Sequence, residues 1–212
     1  MEKKYLLGVD VGTTSIKVVV IDEDAKVLGI SSSTYRLITD KPDYVSIDTE
    51  SLWQAYLKCM RLLFQGKKID STKIAGIGIS SLCPGLAAFG ENDEVLVNPI
   101  IYSDRRSIKE AEIIKEAVGL DTLFEITANK CMAGAHSGTS MLWIKRNLPE
   151  IYQKVKYFGH VNTLMALLMT GKYGIDYTNA SYTNLFETTK GHEGKWSDFL
   201  CEKIGIDKEK LP

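Results

Sequence analysis

The stretch Gly8-Val9-Asp10-Val11-Gly12-Thr13-Thr14-Ser15-Ile16-Lys17 decides how this chain is read, because it lies between two apolar runs, Tyr5-Leu6-Leu7 and Val18-Val19-Val20-Ile21. Both runs are rich in residues that favour strands, so the segment predicts a strand, a tight turn and a second strand. At the turn, Gly12 is expected to take positive φ and to let a ligand approach the backbone. Thr13 and Thr14 offer hydroxyls and amide N–H groups that can wrap a phosphate. Asp10, one pleat before the turn, points an acceptor-only carboxylate at the same place. A carboxylate repels a phosphate unless a divalent cation lies between them, so the pairing points to Mg²⁺ held through water. An ordinary hairpin, with Asp10 accepting only turn hydrogen bonds, fits the same residues.

The chain has 212 residues, 44% of them hydrophobic, which suffices for a substantial core. With 26 Lys+Arg against 27 Asp+Glu and no basic stripe, nucleic acid is not an expected partner. Met1-Glu2-Lys3-Lys4 leads straight into a strand-like run, without a signal-peptide core, and no apolar stretch is long enough to cross a bilayer. The expected location is therefore cytoplasmic, with no membrane partner. Cys59, Cys83, Cys131 and Cys201 lack the paired spacing of a zinc or redox site and read as reduced thiols. His136, His160 and His192 share no ligand spacing and read as structural or exposed. Trp53, Trp143 and Trp196 read as core anchors.

Along the chain, Val27-Leu28-Gly29-Ile30 predicts a third antiparallel strand, and Asp48 is a good N-cap for a helix through Phe64 that Gly66 closes. Lys73 to Ser81 has the continuous apolar character of a buried central strand, its glycines permitting close packing against that helix. Gly85 to Gly90 then pairs with Val95-Leu96-Val97 as a hairpin leading into Pro99 to Arg106. Helices are expected from Ser107 to Gly119, from Ser140 to Asn147, from Pro149 through Val155, over Val161 to Met169 before Gly171, and from Trp196 to Ile204 with Ser197 as cap. Tyr173 to Asp176 reads as a return to the sheet, and Thr178 to Asn184 as polar and part-helical. One α/β domain, sheet first and helices later, is the simplest account.

These pieces occur in an order that resembles the FGGY carbohydrate kinases. They are Asp10 with Gly12-Thr13-Thr14, the Asp48 to Trp53 helix start, Ile77-Gly78-Ile79-Ser80 followed by a hairpin, and Pro99-Ile100-Ile101-Tyr102-Ser103-Asp104-Arg105-Arg106. Leu142-Trp143-Ile144, Pro149 to Tyr152, Leu168 to Tyr173 with Asp176 and Ala180-Ser181, and Trp196-Ser197 to Leu211-Pro212 continue it, so nearly the whole chain is covered. The likeness is to the xylulokinase-like and gluconate kinase-like branches. It implies an actin-like, ribonuclease H-like α/β fold, a mixed sheet opening with three antiparallel strands and flanked by helices. It also implies transfer of the γ-phosphoryl group of ATP, with Mg²⁺, to a hydroxyl of a small sugar, polyol or sugar acid. On this resemblance residues 1–212 are the amino-terminal domain, and the carboxy-terminal domain, with most of the adenine pocket and a general-base aspartate in a Gly-Asp motif, is absent. The expectation is an isolated domain or a truncated product, inactive alone, whose bare cleft wall could pair two copies into a homodimer.

By resemblance Asp10 coordinates Mg²⁺ through water, and Gly12, Thr13 and Thr14 meet the γ-phosphate. Lys17 either helps to neutralise phosphate or is a solvated strand lysine. Asp104 is the expected sugar contact, since a carboxylate can accept from two hydroxyls, although capping the helix near Ser107 is the alternative. Of Arg105 and Arg106, one is expected to orient Asp104 or touch substrate, although a solvated pair at a helix start is the alternative. Leu82, Cys83 and Pro84 stand where xylulokinase-like relatives carry Gln, Met and His, so a hydrogen-bonding imidazole is replaced by a stiff proline and the substrate need not be xylulose. Cys83 is read as a small pocket-lining residue. Ser140, Asn179 and Tyr182 also depart from the family pattern, which has Lys, Asp and Gly there. A non-catalytic actin-like module for sugar binding or assembly is the rival reading, and a nucleotide-switch ATPase is disfavoured without paired cysteines.

Overall fold

The computed structural model describes residues 4–65 and 69–212, so the helix stop expected at Gly66 lies outside the described residues. Contacts divide the chain into two compact units, Met1–Leu37 with Ile47–Leu82 and Ile38–Ser46 with Cys83–Pro212.

In the first unit, β1 (Tyr5–Val11) and β2 (Ser15–Asp22) pair antiparallel from Tyr5 opposite Asp22 to Val11 opposite Ile16. β3 (Val27–Thr34) extends the sheet antiparallel on β2. Two short strands, β4 (Leu37–Ile38) and β5 (Ser46–Ile47), follow and join another sheet. After helix α1 (Thr49–Phe64), β6 (Ile74–Ser81) returns parallel to β1, completing the order β3-β2-β1-β6. This is the mixed sheet with three leading antiparallel strands that the sequence predicts.

Alternation decides which face is covered. Leu7, Val9 and Val11 with Ile16, Val18 and Val20 are all buried, as are Leu52, Ala55, Tyr56, Cys59 and Leu63 on one stripe of α1. The helix starts where expected, since the Asp48 carboxylate accepts the Ser51 N–H at 2.9 Å. That bond, with the Arg36 guanidinium beside it, holds the Asp48 carboxyl below the usual carboxylate range. β6 departs from expectation: it is the edge strand of this sheet, and Ile77 is 48% exposed. A Cβ at Gly78 would meet nothing within 4 Å, so that glycine does not mark close packing on a helix. A short apolar run is equally compatible with one or two covered faces, and pattern alone cannot separate them.

In the second unit the hairpin of β7 (Gly85–Phe89) and β8 (Val95–Ile101) forms the centre of a sheet. Helices α2 (Ile108–Val118), α3 (Leu120–Thr127), α4 (Ser137–Asn147) and α5 (Pro149–Lys154) follow. A strand β9 (Tyr157–Gly159) then pairs with the far side of β7, giving the order β4-β5-β8-β7-β9. The chain finishes with α6 (Val161–Thr170), α7 (Tyr177–Ser181) and α8 (Asp198–Ile204). Pro149 at the start of α5, Gly171 at φ 69° after α6 and the Ser197 cap of α8 sit where the sequence places them. The core joins Leu86, Ala88, Ile100 and Phe158 of the sheet to Ile114, Leu123, Met141, Ile144 and Leu200.

Tyr173 to Asp176 is not a strand. The returning strand is β9, three residues long, and the Tyr173 ring stacks on Tyr157 with centroids 3.7 Å apart. A three-residue strand is too short to show an alternating pattern. Among the described residues no helix is long and apolar enough to cross a membrane.

Candidate functional site

The β1–β2 turn is held from two sides. Gly12 donates its N–H to the Ser15 carbonyl at 2.9 Å, Tyr35 donates its N–H to Thr14 O at 3.2 Å, and Leu82 donates its N–H to Val11 O at 2.8 Å. The Tyr35 hydroxyl donates to the Gly12 carbonyl. Gly12 therefore behaves differently from expectation: it is not among the glycines at positive φ, and its N–H is spent inside the turn. A Cβ there would lie 3.3 Å from Ser15 O, so what the turn asks of residue 12 is little bulk. Thr14, next in the turn, offers donors to an anion. Thr14 is exposed, and its amide and hydroxyl make no hydrogen bond among the described residues.

Asp10 stands opposite Lys17 on β2 and in register with Ser80 on β6, so three polar side chains share one face near the strand ends. Asp10 and Lys17 are both exposed, and no ion pair joins them among the described residues. The Asp10 oxygens are thus open to the water shell of a hard cation, which fits Mg²⁺, an ion usually held by one or two carboxylates plus substrate phosphate. Among the described residues no group of three or more His, Cys, Asp or Glu could hold a metal unaided.

In the second unit Asp104 is fully buried. Its Oδ2 accepts the Val45 N–H at 2.6 Å and the Arg106 Nε–H at 2.9 Å and lies 2.8 Å from Arg106 Nη2 in an ion pair, and its Oδ1 accepts the Arg106 N–H at 2.9 Å. This carboxylate holds a turn and presents no oxygen to solvent. Nor does it cap α2, whose N-cap position is Ser107. Arg106 is the residue that orients Asp104. Its Nη2 also donates to Ser46 Oγ at 2.9 Å, and its guanidinium lies 4.2 Å from the Tyr44 ring centroid and 5.2 Å from that of Trp143.

Arg105 is exposed, yet its Nη1 donates to three carbonyls, those of Tyr102, Asp104 and Ala133, at 2.9, 3.0 and 3.1 Å. It staples the end of β8 to the segment before α4. Gly134 makes this possible: it sits at φ +75°, and a Cβ would lie 2.4 Å from the carbonyl oxygens of both Tyr102 and Asp104. Sequence reasoning passed over Gly134, although a glycine between two helical patterns was a signal that could have found it.

Leu82 belongs to the first unit, while Cys83 and Pro84 open the second. Pro84 is buried and Cys83 half-buried. Burial, with the negative charge of Asp176 added, pushes the Cys83 thiol up to about 12, so it remains protonated and a poor nucleophile.

A buried polar chain was also missed. His160 is fully buried, with Nδ1 2.8 Å from Asn179 Oδ1 and Nε2 2.8 Å from Ser137 Oγ. Asn179 donates its side-chain amide to Asp176 Oδ2 at 2.8 Å and its N–H to Oδ1 at 2.9 Å. With its NH₂ committed to Asp176, Asn179 accepts from His160 Nδ1–H, and Nε2 therefore accepts the Ser137 hydroxyl. Burial pushes His160 down to about 4 and keeps it neutral. His136 is also buried, its Nδ1 accepting the Met132 N–H at 3.3 Å, so both histidines are structural.

The sequence model described as the FGGY family of carbohydrate kinases, N-terminal domain, matches residues 5–212. This chain belongs to that family. The FGGY chain is 29% identical over 209 residues to a xylulose kinase of Bacillus subtilis, covering 99% of this chain and 41% of the relative. It is 29% identical over 223 residues to a glycerol kinase of Thermococcus onnurineus, covering 99% and 42% respectively. Its fold superposes on the crystal structure of gluconate kinase from Lactobacillus acidophilus with a TM-score of 0.88 at 28% identity, covering 100% of this chain and 42% of that one. The FGGY chain thus spans about two fifths of the length of the curated relatives it matches, and its fold is that of sugar kinases of the actin-like class.

Proposed function

We propose that this chain supplies the phosphate-binding turn and part of the sugar side of an ATP-dependent kinase that phosphorylates a hydroxyl of a small sugar, polyol or sugar acid in the cytoplasm. The observation that carries the reading is the exposed Asp10 carboxylate beside the Thr13–Thr14 turn, in a chain matched to the family from residue 5 to residue 212. Asp10 would hold Mg²⁺ through water, and the ion would supply positive charge to the transferring phosphoryl group. Thr13 and Thr14 donate to the γ-phosphate, Gly12 keeps the turn tight, and Lys17 adds positive charge on the same face. On the sugar side, the side chains of Cys83 and Pro84 offer few hydrogen-bonding groups, and that of Leu82, which precedes them, offers none. Asp104 acts through Arg105 and Arg106 by fixing the turn that follows β8. By family resemblance the general base is an aspartate in a Gly-Asp motif, and these 212 residues contain no Gly-Asp pair; on this reading the chain by itself turns over no sugar.

The test uses the longest protein encoded with this chain, following ADP release with ketopentoses, aldonates, glycerol and other polyols. Asp10→Asn is expected to lower kcat by roughly 10²–10³ while the sugar Kd stays within about twofold. Wild-type kcat in Asp10→Asn would overturn the role of the turn, and turnover by the 212-residue chain alone would overturn the inference about the base.

A further inference from the structure

The second unit carries a cavity of about 240 Å³ bordered by Asp40, Lys41, Tyr44, Ser46 and Arg106. Its size is below the roughly 300–1,000 Å³ of pockets for drug-sized ligands, so its occupant is small. Two cations meet here over one ring: Arg106 at 4.2 Å from the Tyr44 centroid and Lys41 Nζ at 5.4 Å. Arg106 is rigid, because Asp104 and Ser46 hold Nε and Nη2 and its side chain is only 9% exposed. Its Nη1 makes no hydrogen bond among the described residues, and Lys41 makes no ion pair among them. A guanidinium already locked in place loses little conformational entropy when it takes an anion, and a flexible lysine can close on the same group. Asp40 on the same wall opposes a bare anion, and its carboxylate is satisfied only by a ligand that also brings hydroxyl donors.

We propose that this cavity binds a small hydroxylated anion, a sugar phosphate or a sugar acid, with Lys41 and Arg106 taking the anionic group and Asp40 taking a hydroxyl. Under the kinase reading a sugar phosphate is the reaction's own product. The cavity would then sense product through Arg106, which holds the Asp104 turn; this last step alone rests on the kinase reading.

The experiment is calorimetric titration of the chain, without nucleotide, with glycerol 3-phosphate, xylulose 5-phosphate, gluconate and inorganic phosphate. Saturable binding of a phosphate ester or of gluconate is expected, and which of the two binds names the source of the anion. Lys41→Gln, an exposed loop change, is expected to weaken it roughly tenfold or more, the loss of one charge-assisted hydrogen bond. Asp40→Asn is expected to narrow the gap between inorganic phosphate and its hydroxylated ester. No binding by any of the four probes, or affinity unchanged in Lys41→Gln, would overturn the proposal. Because no phosphoryl transfer is read, failure of the kinase reading leaves this result standing, and the reverse also holds.

Discussion

Replacing Asp104 by alanine tests whether a buried carboxylate organises the turn after β8. The perturbation removes three accepted hydrogen bonds, from Val45 N–H at 2.6 Å, from Arg106 Nε–H at 2.9 Å and from Arg106 N–H at 2.9 Å, and the ion-pair contact to Arg106 Nη2 at 2.8 Å. It also strands the Arg106 guanidinium, 9% exposed, without its counter-charge. Removing one partner of a buried pair costs about 3–5 kcal/mol, most of it the penalty on the charge left behind. The Ser46 bond and the Tyr44 and Trp143 rings retain part of Arg106's stabilisation, so the lower half of that range, about 3–4 kcal/mol, is expected. With an m-value of about 2 kcal/mol/M, the urea midpoint should fall by roughly 1.5–2 M. Fluorescence reports on this unit directly, since Trp143 neighbours Arg106. The control is Asp104→Leu with Arg106→Met, which removes both charges and should recover much of the loss. A loss below about 1 kcal/mol in Asp104→Ala, or a double variant no more stable than the single one, would refute the reasoning.

Gly134→Ala should cost about 2–4 kcal/mol, combining left-handed backbone strain with a Cβ driven against two carbonyl oxygens, whereas Gly171→Ala, at φ +69° with nothing within 4 Å, should cost only about 1 kcal/mol; equal effects on the thermal midpoint would show that packing at Gly134 contributes nothing. Cys83, with its thiol pushed up to about 12, should hold roughly a thousandfold less thiolate at pH 8 than an ordinary cysteine, and alkylation of the folded chain at the rate of a free thiol would contradict this. His160, held down to about 4, binds a proton in the unfolded chain below about 6.5 but not in the folded one. Stability from this residue is therefore full above about pH 6.5 and declines by about 3 kcal/mol as the pH falls to about 4, where protonation of the folded state ends the decline. Urea midpoints measured between those limits should flatten in His160→Gln, and an unchanged slope would remove His160 as the cause.

The sequence by itself determined what depends on neighbours along the chain. The β1–β2 hairpin, with Asp10 before the tight turn and Lys17 beyond it, follows from two strand-favouring runs about that turn, while the register that sets the two opposite each other comes from the structure. The Asp48 and Ser197 caps, Pro149 at the start of α5 and Gly171 after α6 follow from backbone groups that only a local side chain or a particular φ can satisfy. Tertiary structure decided what depends on residues far apart. It placed β6 at a sheet edge and recruited the three-residue β9, since sheet order is set by which surfaces pack and not by any single strand's composition. It also decided which arginine serves Asp104. Both stand beside it in sequence, but Arg106 alone also reaches Ser46, 60 residues away in the chain, and the rings of Tyr44 and Trp143, while Arg105 turns to the carbonyl beside Gly134. A buried carboxylate must be met by donors wherever the fold can bring them, and a chain read in order cannot show who arrives.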